Sequence, residues 1–128
     1  MLSAVNRLRL TADFRSVVHS RIRVGRPSLV LHAIANGEMP SQIGFAVSRA
    51  VGGAVVRNRV KRQLRHLVRA ELAVSDPHAR IVVRALPAAA SENERLAADL
   101  HDAWAQTIRR LRKVTEVSEM AQEPKVTR

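Results

Sequence analysis

FAVSRAVGGAVVRNRVKRQLR, residues Phe45 to Arg65, changes its hydrophobic period in the middle, and that change decides the fold. The stretch Gln42 to Ser48 (QIGFAVS) is short and rich in branched and apolar residues, which predicts a strand. Gly52-Gly53 interrupts it. From Ala54 to about Leu72, at about 100° per residue, Val56, Val60, Leu64, Leu67 and Val68 fall on one arc. Asn58, Arg59, Lys61, Arg62, Arg65 and Arg69 spread over the rest, with Arg57 nearer the apolar edge. A strand thus leads straight into a helix that packs on one side and is densely cationic on the other. Glu71 falls inside the apolar arc, which predicts fraying there. Like charges three or four residues apart repel each other, so this surface calls for phosphates between them.

Working upstream, Ser28 to Ile34 (SLVLHAI) reads as a strand bounded by Pro27 and the turn signal Asn36-Gly37. If it pairs with Gln42 to Ser48 as a hairpin, the connection is longer than a two-residue turn. Ile22 to Val24 adds a short extended piece before the breakers Gly25 and Pro27. A first helix is predicted near Thr11, whose hydroxyl suits an N-cap, with Phe14, Val17 and Val18 on one face. Downstream, Ser75-Asp76-Pro77 ends the basic helix and Arg80 to Ala85 (RIVVRA) reads as a strand that Pro87 stops. Ser91 with Glu94 has the spacing of a capping box. Leu96, Leu100, Ala103, Trp104, Thr107, Ile108 and Leu111 then repeat with helical spacing. Helix, strands, helix, strand, helix is the order of a small α/β two-layer sandwich. One domain is expected over residues 1–112, followed by a polar, disordered tail at 113–128.

Composition says what this surface meets. The 128 residues carry 22 Lys and Arg against 11 Asp and Glu, a formal net charge of +11. Such an excess opposes compaction unless a polyanion neutralises it. Arginine outnumbers lysine, and guanidinium binds phosphate bidentately and stacks on bases. Nucleic acid is the expected partner. There is no cysteine, which excludes disulfides and thiolate metal sites. No apolar run approaches the roughly 18 residues of a membrane span. Met1 to Leu10 lacks the apolar stretch of a secretory signal, so a cytoplasmic protein with no membrane contact is expected. The five histidines (19, 32, 66, 78 and 101) form no spaced set with carboxylates. No catalytic residues and no protein-held metal are expected.

The segment Phe45–Arg65 closely resembles the signature of the bacterial RNase P protein family. It shows a strand ending in Val-Ser and a basic residue (Arg49), a Val-Gly turn, then Arg57-Asn58-Arg59, Lys61-Arg62 and Arg65 on a helix. Asn6-Arg7-Leu8, Asp13-Phe14 and the Arg84-Ala85 pair extend the resemblance over about residues 6 to 111. It implies a sandwich whose basic helix is joined to the sheet by a left-handed βαβ crossover, against the usual hand. It also implies two partners, the catalytic RNA of RNase P and precursor tRNA, and no obligate protein partner. Together, protein and RNA would remove the 5′ leader by Mg²⁺-dependent hydrolysis, the Mg²⁺ being held mainly by the RNA.

Carried over by position, Arg49, Arg57, Asn58, Arg59, Lys61, Arg62, Arg65 and Arg69 would contact RNA. A leader cleft would involve Phe14, Val18 and His32. Val18 and His32 stand where relatives often carry aromatic rings, which implies weaker stacking of leader bases. Ala50 replaces a second basic residue. Another RNA-binding module, of ribosomal type, would share these electrostatics without any part in processing. Binding of a membrane surface by the basic helix is disfavoured, since residues 54–72 hold no large ring.

Overall fold

The computed structural model describes residues 6, 7, 11–20 and 22–121, and side chains at 6, 7, 15–20 and 22–114. The predicted cap of Thr11 and the ring of Phe14 lie outside the described side chains. Helix α1 (Thr11–Val18) leads by a tight turn, His19 N–H to Arg15 O, into β1 (Ile22–Arg26). β1 pairs antiparallel with β2 (Leu29–Ala35), Arg26 lying opposite Leu29. Pro27 and Ser28 make the turn between them. Read as a stop, Pro27 here helps close a hairpin, because proline's fixed φ suits a turn position.

β3 (Gln42–Ala46) follows, then α2 (Ala54–Val74) and β4 (Ala79–Ala85). The strand order is β1-β2-β4-β3, with β4 antiparallel to β2 and parallel to β3. The conditional hairpin between β2 and β3 therefore does not form. β4 takes the place between them because it is the strand best suited to cover on both faces: Ile81, Val82 and Val83 in succession are fully buried. The β3–α2–β4 unit is a parallel crossover, and the architecture is the α/β sandwich that the sequence predicts.

One face of the sheet carries the main core. Ile22, Val24, Leu29, Leu31, Ile43, Ile81 and Val83 meet Val60, Leu64 and Val68 of α2 there. The final helix, α4 (Leu96–Ala121), adds Leu96, Leu100, Trp104 and Leu111 to the same core. Truncating any one of the larger aliphatic side chains would cost roughly 2–5 kcal/mol. On the opposite face α1 places Val17 on Val82 beside Val18 and Ala46, and Val30 and His32 are also buried there.

Helix ends differ from the sequence reading in three places. α2 does not fray at Glu71; it continues to Val74 because the Glu71 carboxylate meets His101 Nδ1 of α4 at 2.9 Å. The Ser91–Glu94 capping box is not formed. Ser91 instead ends a short helix, α3 (Ala88–Ser91), and its hydroxyl points back to Pro87 O, so that α4 starts only at Leu96 after a single 3-10 turn. α4 then runs on to Ala121, past Lys113 where the polar tail was expected to begin. Extending a nucleated helix needs no buried face. Residues 122–128 lie outside the described residues.

Candidate nucleic-acid interface

The turn into α2 is set by packing. An added Cβ at Gly52 would stand 2.8 Å from Val56 Cγ1, so only glycine lets the chain enter the helix this closely. Ser48 Oγ accepts from Ala50 N–H and Arg49 O accepts from Gly52 N–H, which holds the exposed Arg49 at the mouth of the turn. The helix starts on Gly53 with no side-chain cap and no acidic residue in its first turn. Its positive dipole end therefore adds to the cationic field rather than being cancelled.

Val60, Leu64 and Val68 are fully buried at i, i+4 spacing, and this fixes where the cations point. Asn58, Arg62, Arg65 and Arg69 are exposed on the opposite side, a stripe about 16 Å long at 1.5 Å per residue. Lys61 is half-buried on one flank and Arg59 exposed on the other. Arg57 is half-buried, and its Nε has no hydrogen-bond partner among the described residues. Of the expected set, Asn58, Arg62, Arg65 and Arg69 share the stripe, while Arg57 and Arg59 flank it on different sides.

A second cationic region lies on the face of the sheet that α1 meets, where sequence reading named Val18 and His32 but missed the arginines. Register places Arg23, His32, Val82 and Gly44 in one row across all four strands. The neighbouring row is Gly25, Val30, Arg84 and Ala46. Small residues make this face a trough: a Cβ added at Gly25 would meet nothing within 4 Å. Val18 and His32 are on this same face, as the resemblance implies. Phe14 belongs to α1, but its side chain lies outside the described residues.

His32 is 3% exposed, and neither ring nitrogen has a hydrogen-bond partner in the described structure. Burial lowers its pKa below the usual 6.5, and the Arg84 and Arg23 charges lower it further. It is therefore a neutral ring with one donor and one acceptor unused. Arg84 Nε is likewise buried without a partner. Unsatisfied polar atoms cost about 1–3 kcal/mol each when buried.

The alternation Arg80, Ile81, Val82, Val83, Arg84 conceals these cations from periodicity. Strand period places 80, 82 and 84 together, but only the register shows that Arg23 and His32 join them. Among the described residues, no three His, Asp or Glu side chains converge as a metal ion requires. No helix among them is long and apolar enough to cross a membrane.

The comparisons with known proteins agree with this geometry. The Ribonuclease P family pattern matches residues 2–108. The Ribonuclease P protein component of Streptomyces avermitilis is 47% identical over 110 residues, covering 78% of this chain and 89% of the relative. That of Pseudarthrobacter chlorophenolicus is 51% identical over 114 residues, covering 87% and 83%. The solved RNase P protein of Thermotoga maritima superposes with a TM-score of 0.66 at 28% identity, covering 81% of this chain and 96% of that one. The Staphylococcus aureus RNase P protein, at 24% identity, shares the fold with a TM-score of 0.70 over 78% and 93%. With a family match across most of its length and relatives near half identity, the chain belongs to the bacterial ribonuclease P protein family.

Proposed function

We propose that this chain, as the protein subunit of ribonuclease P, binds the catalytic RNA and the 5′ leader of precursor tRNA and assists cleavage of the leader in the cytoplasm. The observation that carries the reading is the joining of two cationic surfaces in one small domain. The exposed stripe of α2 holds Arg62, Arg65 and Arg69 in line, and the trough on the sheet holds Arg23, Arg84 and the unpartnered His32. A regular stripe of guanidinium groups suits successive phosphates of a folded RNA. A shallow trough carrying Arg23 and Arg84 on neighbouring rows suits an extended single strand, whose phosphates need cations and whose bases are open to contact.

In this reading the side chains position and neutralise, and none of them reacts. Arg49, Arg57, Arg59 and Lys61 widen the phosphate contact at the start of α2. Val18 and His32 line the leader path. Stacking there is modest, since neither is a large ring. In this reading the Mg²⁺ of the reaction is held mainly by the RNA.

The test is precursor tRNA cleavage by the cognate catalytic RNA at low Mg²⁺, with and without the protein. Restored accurate 5′ cleavage is the expected result. Tight RNA binding with unchanged cleavage would leave a general RNA-binding module in its place.

A further inference from the structure

Away from α2 and the trough, a third group of cations stands along the outer edge of the sheet. β1 is one edge strand, and β3, from which α2 departs, is the other. α4 lies over β1 and β2. Arg26 of β1 donates to Gln106 Oε1 of α4 at 2.7 Å and to Gly25 O at 2.8 Å. Arg110 of α4 donates to Arg23 O at 2.8 Å. Arg109 and Lys113 are exposed on the outward side of the same helix.

The acceptors that hold Arg26 and Arg110 are an amide and two carbonyls. Both guanidinium groups are therefore fixed in place while their charge stays uncompensated. Arg95 by contrast has Glu92, and His101 has Glu71. Asp99 of α4 is turned inward and accepts from Ser28 N–H and Oγ. Asp102 is exposed on α4 and makes no ion pair in the described structure. Glu116 and Glu119 follow on the helix, with side chains outside the described residues.

We infer that this β1–α4 edge, through Arg26, Arg109, Arg110 and Lys113, is a second RNA-docking surface that grips sugar–phosphate backbone separate from the segment on α2. The inference rests on the function proposed above. Pre-fixed arginines lose less side-chain freedom on binding, which favours a phosphate contact over an idle charge. Gln63 meets Asn93 and Glu71 meets His101, so α2 and α4 run side by side in one direction, and Arg109 stands about 25 Å further along than Arg62 at 1.5 Å per residue. The domain would thus be held between two RNA segments. RNA fits better than a lipid or protein surface, because among the described side chains no exposed large apolar one belongs to β1 and Val114 alone belongs to α4.

The experiment measures log Kd for the cognate catalytic RNA against log salt, using the full chain. The exposed pair Arg109→Gln/Lys113→Gln, which breaks no hydrogen bond, should lower the slope by one to two units. Adding Arg110→Gln should lower it further, and combining the pair with Arg62→Gln/Arg65→Gln should give additive losses. Backbone footprints of the RNA should lose different nucleotides in the edge and α2 variants. An edge-variant slope equal to wild type, while the α2 variant falls, would overturn this surface alone. Loss of the same nucleotides in both variants would overturn the second segment. Wild-type protein that does not bind the RNA would overturn the proposed function with it.

Discussion

Gly52 and His32 show how single residues set this site. The Cβ of an alanine at 52 would sit 2.8 Å from a methyl of Val56, a branched side chain with nowhere to swing. Gly52→Ala should therefore destabilise the fold by about 1–3 kcal/mol and shift the start of α2, read by chemical denaturation and by weaker RNA binding. His32 is argued from its surroundings. Its pKa is lowered by burial and by Arg84 and Arg23, so the folded state resists its protonation. The sign follows: the folded state loses stability through this group as pH falls from the unfolded pKa near 6.5. An NMR titration should place His32 below 6.5 and His101 above it, and Arg84→Ala should move His32 upward. A His32 that titrates above 6.5 would mean that the trough is not cationic.

At the scale of elements, α2 and the sheet differ in how much their sequences reveal. The helix was legible because its period is local: Val60, Leu64 and Val68 mark the buried side, and every cation is placed by counting from them. Arg62→Gln/Arg65→Gln should leave thermal stability within about 0.5 kcal/mol, since both are exposed, and lower the salt slope of RNA binding by about two units. The strands were legible as strands, but their order was not. β2 and β3 are neighbours in sequence with a turn signal between them, and the apolar run at 81–83 suits a sheet interior without saying which strands will flank it. For the same reason Arg23, Arg80 and Arg84 were not read as a site, because their common face exists only after pairing. Ser91 misled for a different cause. Its capping spacing is real, yet Asn93 exchanges hydrogen bonds with Gln63 of α2 and fixes a kinked entry to α4 instead.

For the whole molecule, charge is the dominant fact. A net charge of +11 on 128 residues opposes compaction, and Glu71, Asp76 and Asp99 are acids that tie separate elements together. Asp76 accepts from Ser41 Oγ, Ser41 N–H and His78 N–H, joining the start of β3 to the end of α2. Burial alone would raise its pKa; these hydrogen bonds outweigh that and hold it below 3.8. Its contribution is therefore present above about pH 4 and lost as pH falls through the lower folded value. Asp76→Asn should flatten the acid limb of a stability-versus-pH curve and cost about 1–3 kcal/mol at neutral pH. RNA at a hundred times its Kd should add about 2.7 kcal/mol, raising Tm by roughly 10 °C at low salt and less at high salt. A Tm indifferent to RNA would contradict the polyanion reading.

The central position of β4 has a consequence for how the chain is made. It is the last of the four strands to leave the ribosome, and both β2 and β3 need it as their common neighbour. Until Ala85 emerges, α2 is complete but has no finished sheet on which to lay Val60, Leu64 and Val68. At 5–20 residues per second the eleven residues from Val74 to Ala85 take roughly 0.5–2 s. During that interval the nascent protein presents its most cationic helix, with its apolar side uncovered, to a cell rich in RNA. Its first encounter with a polyanion can therefore precede its own folding.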